Sequence, residues 1–282
     1  MRFAKETLII EDIQTTQPKH HLDEISLMYE DVIKNLNTTL KIPKDVLDSL
    51  KIHSELNPEI WKGQKIKPEI RKNLLRIAKD FFKSLELPSN VKLKDVLFVG
   101  SLANYNWSKF SDIDLHLVVD FAQLDPDKSQ AKKRFDAQKN LWNLKHDISI
   151  LKYPVEVYVQ DVKEKLEASA IYSVAHDKWI LMPEPKKFRL DKMVVKNRVK
   201  NLFDKLKDIK YDYDTHRFSR AVLKIDKLKD GIKKMRQSGL ERGGEFSTEN
   251  LIFKILRRTT FMEILDTYKT KAYDKMVSLK QI

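Results

Sequence analysis

Apolar residues recur at helical spacing from Leu22 through Ile25, Met28, Tyr29, Val32, Ile33 and Leu36, which predicts a helix to about residue 38. Pro43 is placed to open a shorter helix through Leu50. A stronger amphipathic pattern follows Lys67-Pro68-Glu69, with Ile70, Leu74, Ile77, Ala78, Phe81, Phe82 and Leu85 on one face, and it closes before Pro88. After Pro88 the texture changes. Residues 96–99, 113–119 and 155–159 read as strands, with a charged helix over 128–144 between the second and third. A short helix after Asp161 and the run 178–182 lead to Pro183-Glu184-Pro185. Beyond it, residues 190–209, 218–235 and 247–265 have helical periodicity without internal proline, and the loop 238–246 holds three of the six glycines. Residues 1–20 show no clear period and read as a loose arm.

These elements predict an α+β chain in three parts: N-terminal arm and helices over 1–66, a small mixed sheet with flanking helices over 67–185, and an all-helical domain over 186–282. The length of 282 residues is ample for one or two domains with buried cores. Hydrophobic residues at 41% and charged residues at 34% fit a soluble globular chain. The absence of cysteine removes disulfides, thiolate metal sites and cysteine nucleophiles, and it fits a cytoplasmic location. No signal-like apolar run and no 18-residue apolar stretch occurs, so no membrane partner is expected. Neither G-x-G-x-x-G nor G-x-x-x-x-G-K-[ST] occurs, which argues against a dinucleotide site or a P-loop.

Charge is uneven along the chain. Residues 1–185 carry 28 Lys+Arg and 28 Asp+Glu, whereas residues 186–282 carry 26 and 13, so the whole excess of +13 lies in the last third. Two expectations stand side by side there: a surface for a polyanion such as RNA, DNA or a nucleotide triphosphate, or solvated helix faces. Lys254, Arg257 and Arg258 form a basic face at helical spacing. Tyr211-Asp212-Tyr213-Asp214 with His216, Arg217 and Arg220 is polar enough to line a cleft.

The segment with most chemistry is Phe98-Val99-Gly100-Ser101 and, ten residues on, Ser111-Asp112-Ile113-Asp114-Leu115-His116. On a strand Asp112 and Asp114 share one face while Ile113, Leu115 and Leu117 share the other. Two carboxylates at the end of a buried strand are costly without compensation, and a hard divalent cation such as Mg²⁺ or Mn²⁺ is the natural one. Glu156, flanked by Val155 and Val157 and sharing a face with Tyr158 and Gln160, is a third candidate ligand, with Asp147 as the alternative. Gly100 permits a sharp turn and close backbone approach, and the Ser101 hydroxyl can grip a phosphate. Ser111 is placed to cap or position Asp112. His116 lies on the face of the acids; Asn104, Tyr105, Asn106 and Trp107 can contact a substrate or anchor the loop; Lys109 reads as solvated.

Gly100-Ser101 followed by Asp112-Ile113-Asp114 resembles the signature of the DNA polymerase beta-like nucleotidyltransferase superfamily, G-[GS], nine to thirteen residues, then D-h-[DE]-h. The resemblance covers roughly residues 68–160. It implies a small mixed sheet backed by helices, and transfer of a nucleoside monophosphate from an NTP, ATP the expected one, to a hydroxyl with release of pyrophosphate. By the same resemblance Asp112, Asp114 and Glu156 bind two metals and are the catalytic acids, and Gly100 and Ser101, with Ser111 beside them, bind the nucleotide. Nucleic acid, a protein or a small molecule can each be the acceptor, and a non-catalytic nucleic-acid-binding protein on the same fold is the competing expectation.

Overall fold

The computed structural model describes residues 42–124, 128–166, 168–185 and 191–278, which fall into two compact units, 42–192 and 193–278. The helix expected over residues 22–38 lies outside the described residues. Among the described residues no helix is long and apolar enough to cross a membrane.

The first unit begins with a short helix α1 (Lys44–Asp48) and a two-stranded hairpin, β1 (Trp61–Lys62) with β2 (Lys65–Ile66). The long helix α2 (Pro68–Ser84) starts with proline at its first position and buries Ile70, Leu74, Ala78 and Phe81, the stripe its spacing predicts. A six-stranded mixed sheet follows, from β3 (Asp95–Val99), β4 (Ile113–Val119), β5 (Ser149–Ile150), β6 (Tyr153–Asp161), β7 (Ile171–Ser173) and β8 (Lys178–Leu181), in the order β5-β6-β4-β3-β7-β8. Helix α3 (Lys128–Lys145) joins β4 to β6, the one parallel pair; every other pairing in this sheet is antiparallel. One face of the sheet is the main core, where Phe98, Ile113, Leu115, Leu117 and Val157 pack with α2, Phe121 and Phe135 at essentially zero exposure.

The hairpin belongs to this core. Trp61 stacks on Phe98 and Trp179, with centroids 5.7 and 4.9 Å apart, and meets Tyr172 edge-on at 5.1 Å. Its indole N–H donates to the Leu102 carbonyl at 2.8 Å, which pins the turn that follows β3. In place of the short helix expected after Asp161 there are turns and then β7, which pairs with β3 through Leu97↔Ser173 and Phe98↔Tyr172. Ser173, Asp95 and His176 meet in that turn, but the serine is fully buried and donates to Asp95 at 2.7 Å, so the group ties β7 to β3 and presents no nucleophile.

Among the described residues the second unit has four α-helices: α4 (Lys192–Asp214), α5 (Phe218–Gly243), α6 (Thr248–Arg258) and α7 (Phe261–Val277). Two expectations are corrected here. The glycine-bearing loop over 238–246 is mostly helix, because Gly239 is where α5 comes close to the start of α6: a Cβ there would stand 2.5 Å from Glu249 Cβ and 2.8 Å from Ser247 Oγ. The single helix expected over 247–265 is two, broken at Thr259-Thr260, with Thr260 in the left-handed conformation and Ser247 capping α6 through the Asn250 amide.

Asp212 is also not part of a polar cleft. It is 1% exposed and takes Lys224 at 2.6 Å, Arg220 at 3.3 Å and Arg217 at 3.8 Å. The Lys224 ammonium above all holds its pKa below the ordinary 3.8. A folded pKa lower than the unfolded one means that this carboxylate's contribution to stability is complete above the ordinary range and fades as pH falls through the folded value. Asp212→Asn is therefore expected to lower the melting midpoint by several degrees at neutral pH and by progressively less toward pH 2. A midpoint lowered equally at both ends of a circular-dichroism melting series would contradict the assignment.

Candidate metal centre

β3 runs antiparallel to β4, and β4 runs parallel to β6, so the end of β3 and the starts of β4 and β6 meet at one end of the sheet. The register pairs Val99 with Asp114 and Asp114 with Glu156, placing these three side chains in one row on the face opposite the main core. Asp112 immediately precedes β4 and joins the row's end. Ligand oxygens of Asp112, Asp114 and Glu156 all lie within 4.8 Å of one another, and each residue is half-buried. Asp147, the alternative third ligand, lies before β5 and is not in this group.

The local folding follows from alternation. Ile113, Leu115 and Leu117 are driven into the core, which leaves Asp114 and His116 on the other side. Val155 and Val157 do the same for Glu156 and Tyr158. Bringing carboxylates this close costs roughly 3 kcal/mol per pair at 4.8 Å and an effective dielectric of 20, before screening. An oxygen-only, threefold anionic set is the donor chemistry that hard cations such as Mg²⁺ and Mn²⁺ take.

Gly100 closes the site from the β3 side. It has φ 80° and ψ −166°, a conformation that is essentially glycine's alone. A Cβ on it would overlap Asp114 Oδ2 and stand 3.1 Å from Asp114 Cγ, so the backbone lies directly against the carboxylate. Residues Ser101–Ala103 form one 3₁₀ turn. Ser101 Oγ and Ser111 Oγ are 2.7 Å apart, and Ser111 Oγ also accepts from the Ser108 amide at 2.9 Å. Ser111 thereby fastens both ends of the 100–112 connection, just before Asp112.

Tyr158, Gln160 and His116, which spacing places on the faces of the acids, form contacts beside them that spacing does not reveal. The Tyr158 hydroxyl donates to Glu156 Oε2 at 2.5 Å. Burial, reinforced by the Glu156 carboxylate, drives the Tyr158 pKa far up, so the phenol keeps its proton. Lys139 of α3 sits over the Tyr158 ring at 4.3 Å. His116 packs on the same ring at 4.9 Å and bonds Gln160 Oε1 through Nδ1 at 3.0 Å; burial lowers its pKa.

The other loop residues anchor rather than reach outward. Asn104 is buried and donates to Ser169 Oγ at 2.7 Å, and Trp107 stacks on His53 at 3.7 Å while its indole N–H bonds the Glu55 carbonyl at 3.0 Å. Lys109 is exposed, as expected, and makes a surface ion pair with Asp45 at 2.9 Å. Comparisons of the chain with protein-family models, with curated proteins and with solved structures found no match.

Proposed function

We propose that the protein is a Mg²⁺- or Mn²⁺-dependent nucleotidyltransferase that moves a nucleoside monophosphate from an NTP, ATP first among candidates, to a hydroxyl acceptor. The observation that carries this reading is the convergence of Asp112, Asp114 and Glu156 beside the glycine turn at Gly100. In the reaction the acceptor oxygen bonds to the α-phosphorus, the bond from that phosphorus to the bridging oxygen breaks, pyrophosphate leaves, and the acceptor proton passes to solvent. Divalent cations bound by the acids would supply charge neutralisation for the triphosphate and acidify the acceptor hydroxyl.

The chain's own part is to position. Asp112, just before β4, and Asp114 on it would hold the cations, and Glu156 would add a third carboxylate from β6. Tyr158 fixes the Glu156 carboxylate through one oxygen and leaves the other for coordination. Gly100 lets the main chain approach where a side chain would block Asp114, and Ser101 carries a hydroxyl beside it, tethered through Ser111.

The deciding experiment incubates purified protein with each α-labelled NTP and Mg²⁺ or Mn²⁺, with and without tRNA, and separates protein, nucleic-acid and small-molecule products. Metal-dependent appearance of label in any of the three fractions supports the reading, and the fraction names the acceptor class. Salt-sensitive nucleic-acid binding with no label transfer, unchanged by EDTA, would point to a non-catalytic binder instead.

Tyr158→Phe provides a finer test. Loss of the hydroxyl frees the Glu156 carboxylate to rotate, and Mn²⁺ affinity measured by electron paramagnetic resonance is expected to fall about 10- to 100-fold. Gln160→Leu, which alters the same layer without touching Glu156, is expected to have a much smaller effect. Equal Mn²⁺ affinity in Tyr158→Phe and the parent protein would remove Tyr158 from the site.

A further inference from the structure

Helix α3 packs along β6, and two contacts fix its direction. Lys132 pairs with Glu164 at 3.0 Å, past the end of the strand, and Lys139 lies over the Tyr158 ring at 4.3 Å, nearer the strand's start. The helix therefore descends toward the end of the sheet that carries the metal-centre acids. β5 pairs only with Tyr153 and Pro154, so beyond these the outer edge of β6 has no strand partner among the described residues, which leaves α3 side chains a way to the acid face. Lys139 takes it. This lysine is half-buried, its ammonium stands against the ring whose hydroxyl bonds Glu156, and it makes no hydrogen bond or ion pair among the described residues. Asn143, one turn further on, is also half-buried, and its amide has no hydrogen bond among the described residues. The one acid of this helix, Asp136, lies a turn before Lys139 and acts on Lys132.

We propose that Lys139, with Asn143 beside it, binds a phosphate group of the acceptor, so that the hydroxyl taking up the nucleotide belongs to a phosphate-bearing compound, either the 3′ end of a nucleic acid or a small phosphorylated hydroxy compound. The proposal rests on the nucleotidyltransferase reading and names its acceptor class. The sheet order β3-β4-β6 sets the sides: Gly100 and Ser101 approach Asp114 from β3, while Glu156, Tyr158 and Lys139 lie on the side of β6. In an in-line displacement the attacking hydroxyl and the departing pyrophosphate occupy opposite sides of the α-phosphorus. With the triphosphate at the glycine turn, the hydroxyl enters from the side of Glu156, and Lys139 is placed to hold what that hydroxyl is attached to. An ammonium with no ion pair is a point charge open to a phosphate, and the Asn143 amide adds an N–H donor one turn away. A lysine serving only to offset the clustered carboxylates would pair with one of them. Here the Tyr158 ring stands between Lys139 and Glu156.

The test uses the full chain and two matched pairs of probes. A short RNA oligonucleotide is compared with the same oligonucleotide whose last internucleotide linkage is an uncharged methylphosphonate, and ribose 5-phosphate is compared with ribose. With α-labelled ATP and Mg²⁺, label transfer is expected to favour the charged member of one pair, and that pair names the source of the phosphate. Lys139→Gln is expected to raise the KM for the charged probe roughly tenfold, to leave the KM for ATP unchanged and to abolish the preference over the neutral partner. Lys139→Arg is expected to keep the preference, and Lys133→Gln, which removes an exposed cation from the same helix, to leave it unchanged. These two variants separate a placed charge from misfolding and from general attraction. Binding of the same probes is also measured by calorimetry in EDTA, where no transfer takes place. If no label moves to any probe, yet the charged probe binds several-fold tighter than the neutral one in the parent and not in Lys139→Gln, the nucleotidyltransferase reading fails and the phosphate site at Lys139 stands. Equal use and equal binding of charged and neutral probes, a preference that survives Lys139→Gln, or a raised KM for ATP alone would each overturn the proposal.

Discussion

Replacing Asp114 with asparagine is expected to cut metal-dependent nucleotidyl transfer by roughly three orders of magnitude or more while raising the melting temperature measured in EDTA. The two effects have one cause. Asp114 is central in the row, in register with both Val99 and Glu156, and its charge adds to a cluster whose oxygens lie within 4.8 Å. Without a cation that charge is repulsive, so its neutral isostere relieves the fold; with a cation it is a ligand, so the isostere disables the site. Asparagine keeps the side-chain shape against Gly100, which limits the change to charge. Millimolar Mg²⁺ is expected to raise the melting midpoint of the parent protein and to leave that of Asp114→Asn unmoved. Label transfer by the variant at the parental rate would end the nucleotidyltransferase reading. An unfolded variant would contradict the claim that these acids are carried at a cost to stability.

The reach of the sequence can be traced to where its pattern has a single physical cause. Ile113, Leu115 and Leu117 alternate with Asp114 and His116 because one face of β4 is core, and Val155 and Val157 isolate Glu156 for the same reason. Those strands, α2 and the shared face of Asp112 and Asp114 were therefore legible, and Glu156, not Asp147, is the acid that lies beside them. Elements held by tertiary contacts were not. The β1–β2 hairpin has two residues per strand, too few to show a period, and owes its place to Trp61 packing on Phe98 and Trp179. The Lys163-Glu164-Lys165-Leu166 stretch has a helical composition, but the segment is drawn out so that β7 can pair with β3.

Glycines misled in one place and informed in another. Gly239 reads as a breaker, yet it lies inside α5 because a close helix approach leaves no room for a side chain. Alternation put Tyr158 on the face of Glu156, but their hydrogen bond and the Lys139–Tyr158 contact depend on rotamers and on where α3 lies. Asp212 was misjudged because a polar run suggests solvent, while its charge is met by Lys224, a residue that the run does not include.

Gly100→Ala is expected to match Asp114→Asn in lost activity and to oppose it in stability. An alanine at φ 80° and ψ −166° costs about 1–3 kcal/mol in backbone strain alone, and its Cβ would overlap Asp114 Oδ2. Something must move: either the β3 turn backs away, carrying Ser101 with it, or the Asp114 carboxylate rotates out of the row. Each displaces a group from the cation position, so Mn²⁺ binding and label transfer should both fall, and the melting midpoint in EDTA should fall as well. Two inactive variants whose melting midpoints shift in opposite directions distinguish a lost ligand from a lost cradle. Ser101→Ala, which keeps the glycine and removes only the hydroxyl shared with Ser111, is expected to retain Mn²⁺ binding. If Gly100→Ala binds Mn²⁺ and melts like the parent, the backbone does not press on Asp114 and the close approach has no part in building the site.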